Sequence, residues 1–189
     1  MTPVSRTFTA LACAAGLLLT APGSASAADL VHTDPARDAQ SGPVDSELLH
    51  PARNERRADI RRVEISHGAE TLTVRLRTRG ALPTKKTFLA TQVKTPSGTF
   101  DVTYLRFYGE SGVSMTRKLD EIPCEGLTAT PERKAITFVV PTACLGTPAW
   151  VRVGVGVARM HERTMVMDDG FSRGPIGDQL HLSKRIARG

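Results

Sequence analysis

The stretch Arg61–Arg79 reads RRVEISHGAETLTVRLRTR, and its alternation decides the fold. Val63, Ile65 and His67 fall on one side of an extended chain, Gly68-Ala69 supplies a turn, and Leu72, Val74 and Leu76 return on the opposite strand. A period of two with one apolar side is that of a half-buried β-strand, and two such runs joined by a short turn make a hairpin. With Leu72, Val74 and Leu76 on the core side, Thr71, Thr73, Arg75, Arg77 and Arg79 take the other, beside Arg62 and Glu64. This basic row is either a footprint for an acidic polymer or a solvated face on which Glu64 pairs with an arginine across the strands. Stacking on bases or sugars needs aromatic side chains among the charges. The hairpin has none, so the solvated face is the preferred reading and nucleic acid is disfavoured as a partner.

The same period continues outward. Leu89, Thr91 and Val93 precede a turn at Pro96-Ser97-Gly98, and Phe100, Val102 and Tyr104 follow it. Val113–Arg117 and Leu127–Thr130 are shorter candidates, Ala135–Val140 is an almost unbroken apolar run, and Val151, Val153, Val155 and Val157 alternate without a lapse. Leu180–Leu182 is a last weak strand. One helical turn fits Pro141–Gly146, with Pro at its start and Gly at its end. Short strands punctuated by turns every ten residues or so predict an all-β fold, an antiparallel β-sandwich of jelly-roll-like kind with one short helical turn.

Upstream, Arg6, the apolar run ALACAAGLLLTA and the small residues Ala25-Ser26-Ala27 form a signal peptide over 1–27. The run is well short of the ~20 residues that span a bilayer, and no later stretch approaches that length, so no transmembrane segment is expected. Ala10-Leu11-Ala12 before Cys13 is a poor lipobox, which argues against a lipid anchor. Cleavage would remove Arg6 and no acid from 25 basic and 19 acidic residues, leaving 162 residues with net charge +5 and a secreted, extracellular product. Residues 28–57 carry the breakers Asp34-Pro35 and Ser41-Gly42-Pro43 and read as an extended N-terminal arm, followed by a sandwich domain over 58–189.

Two cysteines survive cleavage, Cys124 and Cys144. In an exported chain they are most simply one disulfide, and neither CxxC spacing nor a His/Cys cluster suggests metal or redox chemistry.

Two further patches have the residue types of a site. On the valine strand, Trp150 and Arg152 share a face with Gly154 and Gly156, whose bare backbone admits a ring, a ligand or another backbone. This is either a sugar platform or a tryptophan capping one end of the core. Asp34 and Asp38 in the arm, with Asp168 and Asp169 in the long turn after the valine strand, offer hard oxygen ligands of the kind Ca²⁺ takes, without the spacing of an EF-hand. Asp178 follows them. Met160, Met165 and Met167 around His161 suit either a haem pair or a flexible apolar loop, the latter being commoner. Gly109-Glu110-Ser111-Gly112 misplaces the second glycine of a nucleophile elbow, and no two histidines stand at i,i+3 or i,i+4.

Ala58-Asp59-Ile60 leading into VEISHGAETLTVRL, together with ITFVVPTACLG before WVRVGVGV, resembles DOMON-like and related carbohydrate-binding β-sandwiches. The mature chain is also similar to small secreted proteins of high-GC actinobacteria. The resemblance implies a sandwich fold whose relatives bind sugars or haem. The sequence as a whole therefore predicts a secreted, non-catalytic module for a cell-wall polymer, glycan or other extracellular ligand. A secreted hydrolase with a loop-built site, and a partner or inhibitor of another exported protein, are the alternatives.

Overall fold

The structure, a computed structural model, describes residues 28–46, 48–172, 177 and 179–189. The expected signal peptide over 1–27, with Cys13, and Asp178 lie outside the described residues. In chain order the strands are β1 (Ala28–Thr33), β2 (Gln40–Pro43), β3 (His50–Pro51), β4 (Ile60–His67), β5 (Thr71–Thr78), β6 (Thr87–Thr95) and β7 (Gly98–Phe107). There follow β8 (Glu110–Arg117), β9 (Asp120–Glu121), β10 (Thr128–Pro131), β11 (Ala135–Pro141), a 3₁₀ turn (Thr142–Leu145), β12 (Trp150–His161), β13 (Thr164–Asp169) and β14 (Ile186–Ala187).

The strands form two antiparallel sheets. One has the order β1-β4-β5-β11-β10, and the other runs β3-β2-β13-β12-β6-β7-β8-β9, with β14 paired to β12. Their inner faces are apolar because the two-residue period holds along each strand. Val63, Ile65, Leu72, Val74, Leu76, Phe138 and Val140 meet Leu89, Val93, Phe100, Val102, Tyr104 and the four valines of β12 in one continuous core. The hairpin of the opening stretch pairs Glu64 with Arg75 and Ile65 with Val74, so its apolar register is the expected one. His67 sits in the core as well, fully buried, with Nδ1 donating to the Ile186 carbonyl. Burial lowers its pKa, which keeps the ring neutral.

Three readings of the sequence change. The arm over 28–57 contributes three strands: β1 edges the first sheet against β4, and β2 extends the second against β13. β1 alternates half-buried with exposed residues and buries none fully, so ADLVHT carries no strong apolar pattern. The long turn after the valine strand is mostly strand, because β12 runs on to His161 and turns through Glu162, at φ 53°, into β13. Neither Gly nor Pro marks that turn. Residues 180–182 form no strand. They lie across β12, and the terminal pairing is made by Ile186–Ala187.

Candidate functional site: an acidic centre between the sheets and an apolar trough

The expected platform at Trp150 is occupied by the chain itself. A Cβ on Gly154 would stand 2.8 Å from the His181 carbonyl oxygen and 2.9 Å from Leu180 Cβ, and one on Gly156 would stand 2.7 Å from a Leu180 methyl. The glycines therefore do admit a close backbone, that of residues 180–183. Arg152 holds the same segment, donating from Nε to the Ser183 carbonyl (2.8 Å) and from Nη2 to Leu182 (3.3 Å), and Arg185 stacks over the Trp150 ring at 4.4 Å.

The basic row disperses. Arg75 gives Glu132 a bidentate pair at 2.7 and 3.0 Å and lies 4.0 Å from Glu64, while Arg62 binds Glu64 at 2.8 Å. Arg79 turns inward, pairing with the fully buried Asp59 at 3.1 Å and donating to the Arg53 and Glu55 carbonyls. Of the three arginines Arg77 alone is exposed. Its reversal, Arg77→Glu, is expected to change stability by less than about 1 kcal/mol, since exposed charges contribute little. A melting temperature displaced by ten degrees would overturn this placement. Four arginines do converge elsewhere: Arg37, Arg53, Arg56 and Arg79 line a cleft of about 350 Å³ together with Asn54.

The acidic residues are brought together. Asp34 is the first residue after β1, Asp38 lies in the loop that carries the chain to β2, and Asp168 is the penultimate residue of β13. One carboxylate oxygen from each falls within 4.8 Å of the other two. Asp34 is 1% exposed and neither of its oxygens has a hydrogen-bond partner; Oδ1 lies 4.0 Å from His32 Nε2. Asp168 is held by the Ile60 N–H on Oδ2 (2.7 Å) and the Asp169 N–H on Oδ1 (3.0 Å). Asp38 is half-buried with a buried, unpartnered Oδ1. Burial, reinforced by the charges of Asp168, Asp38 and Asp169, pushes the Asp34 pKa up to about 9, and burial raises Asp168 to about 7.

Asp169 is not part of this centre. Its carboxylate accepts the N–H groups of Phe171 (3.1 Å) and His181 (2.8 Å) and pairs with His181 Nδ1 at 2.8 Å, anchoring the segment that covers β12. A carboxylate orienting an exposed imidazole is the hydrolase arrangement. Among the described residues, however, no hydroxyl or thiol is hydrogen-bonded to the ring's other nitrogen.

Sequence reading missed a second feature on the outer face of the long sheet. Phe88 on β6, Leu105 and Phe107 on β7, Met160 on β12, and Met165 and Met167 on β13 line a trough of about 540 Å³ that Leu180 closes at one end. Phe88, Leu105 and Phe107 are 41–45% exposed, though a solvated sheet face ordinarily carries polar residues. Gln92 Nε2 donates to Asp101 Oδ1 at 3.0 Å and gives the trough one polar pair. The signal was present in the sequence as outward positions of β6 and β7 filled by Phe and Leu, and in the methionines at 165 and 167, once β13 is recognised as a strand.

Comparison of the chain with protein-family models, curated proteins and solved structures finds no match.

Proposed function

We propose that the protein is a secreted, non-catalytic β-sandwich module that binds a small amphipathic molecule in the trough on the outer face of its long sheet. The observation that carries this reading is the trough itself. Its volume lies in the usual range for small-molecule sites, and its lining is mostly apolar with a few convergent polar groups. Exposed Phe and Leu beside half-buried Met on one contiguous face mark an interaction site more often than a random surface does. Phe88 and Phe107 offer rings, the methionines offer an adaptable wall, and Gln92 with Asp101 can accept or donate to a polar end of the ligand.

Titration with the fluorescent amphiphile 1-anilinonaphthalene-8-sulfonate tests it. Saturable binding to the folded protein is expected, and Leu105→Asp combined with Met165→Asp should weaken it at least tenfold without altering the melting temperature by more than a few degrees. Binding that the double variant leaves unchanged would sink the assignment. The arginine cleft supports a second reading, attachment to an anionic cell-wall polymer. In that case retention on an acidic polymer would fall with salt and be lost in Arg53→Glu with Arg56→Glu.

A further inference from the structure

We propose that Asp34, Asp38 and Asp168 together bind a hard divalent cation, Ca²⁺, which clamps the crossover between the two sheets. This goes beyond the trough reading and does not depend on it. Two independent observations carry it. Oxygens on opposite sides of one bound Ca²⁺ lie about 5 Å apart at most, given Ca–O distances of 2.3–2.6 Å, and the three carboxylates already meet that limit. Separately, Asp34 is buried with both oxygens lacking any hydrogen-bond partner, an arrangement that costs several kcal/mol unless something charged or protic meets it.

The alternatives within the chain do not meet it. None of the chain's own N–H or O–H groups donates to Asp34, since neither of its oxygens has a hydrogen-bond partner. Arg61 is close enough to stabilise the charge of Asp34 and Asp38, yet no described ion pair joins it to the three, and its own Nη1 is buried without a hydrogen-bond partner. Three ionised carboxylates around a divalent cation leave one negative charge, which Arg61 balances. The donor set is all carboxylate oxygen, which suits Ca²⁺ and disfavours metals that prefer thiolate or imidazole. Of the three only Asp38 is not fully buried, so the centre suits an ion rather than a sugar or a peptide.

The placement gives the ion a mechanical role. Asp34 and Asp38 bracket the loop by which the chain leaves the first sheet at β1 and enters the second at β2, and Asp168 belongs to β13, to which β2 is paired. Asp168 also receives the Ile60 N–H at the start of β4. One cation therefore ties the crossover that leaves the edge strand β1 of one sheet to β13 of the other.

The test is calorimetric titration of the chelator-stripped protein with CaCl₂, paired with its melting temperature. One ion per chain is expected. A hundredfold excess over Kd should raise the melting temperature by roughly 5–10 °C, from the mass-action gain and the usual slope for a domain of this size. Asp34→Asn keeps the shape and removes a buried charge, so it should fold, and it should bind Ca²⁺ at least tenfold more weakly with no thermal response. Asp169→Asn should retain Ca²⁺ binding, because Asp169 serves the covering segment. The proposal is overturned by absence of saturable Ca²⁺ binding to the stripped protein, by equal responses of the parent and Asp34→Asn, or by binding of Zn²⁺ without Ca²⁺. None of these outcomes bears on the amphiphile titration, so the two readings fail separately.

Discussion

Replacing Cys124 with alanine is expected to lower the melting temperature by about 9 °C. The Cys124–Cys144 bond closes a loop with a sequence separation of 20 and ties the segment after β9 to the 3₁₀ turn after β11. In the chain-entropy account a loop of this length withholds about 3 kcal/mol from the unfolded state. For a domain of this size each kcal/mol moves the melting temperature by about 2–4 °C. Both cysteines also pack against the core, so truncation removes some apolar contact as well. Thermal unfolding of the parent, Cys124→Ala and Cys144→Ala, with and without reductant, checks this. The two variants should melt together and match the reduced parent. A parent that melts within a degree of both would show that the bond contributes nothing.

Stripped of divalent cations, the protein is expected to lose stability as pH rises from about 4 to about 9. Asp34 faces His32 on β1, Arg61 on β4, Asp38 in the crossover loop, and Asp168 and Asp169 on β13. Burial and the neighbouring carboxylates together outweigh Arg61, taking its pKa from 3.8 to about 9, while Asp168 rises from 3.8 to about 7. Below about pH 4 both groups are protonated whether the chain is folded or not, and the folded state suffers no penalty. Above it the unfolded chain gives up these protons while the folded chain keeps them. Stability then falls by up to about 1.4 kcal/mol per pH unit for each group, levelling off near 7 for Asp168 and near 9 for Asp34. Urea midpoints in chelator should therefore be lower by about a molar or more at pH 8 than at pH 5. Asp34→Asn should flatten the slope, and Ca²⁺ should oppose it by binding the ionised form. Midpoints that stay level or rise with pH would contradict the burial of these carboxylates.

Much of the sandwich was legible because Leu72, Val74, Leu76 and the β12 valines obey a two-residue period that one buried face imposes. The elements that escaped are those where that constraint is weak. The edge strand β1 exposes Val31 and half-buries Leu30. β2 contains Gly and Pro, ordinary breakers, at positions 42 and 43, which pair with β13 alone because β3 reaches only Gln40 and Ser41. β13 hides behind a turn made by Glu162 and Arg163. For the acidic centre the residue types were legible and the geometry was not. Asp34, Asp38 and Asp168 meet only because β4 lies beside β1 and β13 beside β2, which no spacing along the chain reveals. Asp169 was grouped with its neighbour by adjacency, although consecutive strand residues point to opposite faces. The glycines of β12 announced a close approach and were silent about what approaches.

That approach constrains the order of events during folding. Until residues 180–187 arrive, β12 lacks the cover over Gly154 and Gly156 and its β14 partner, and His67 near the other side of the sandwich lacks the Ile186 carbonyl and the Gly189 N–H that bond to it. Segments far apart in the chain, such as His67 and Ile186, must therefore meet before the core can close. Such high contact order slows folding. A chain that emerges in sequence order therefore stays incompletely folded until residues 180–189 are free to pack.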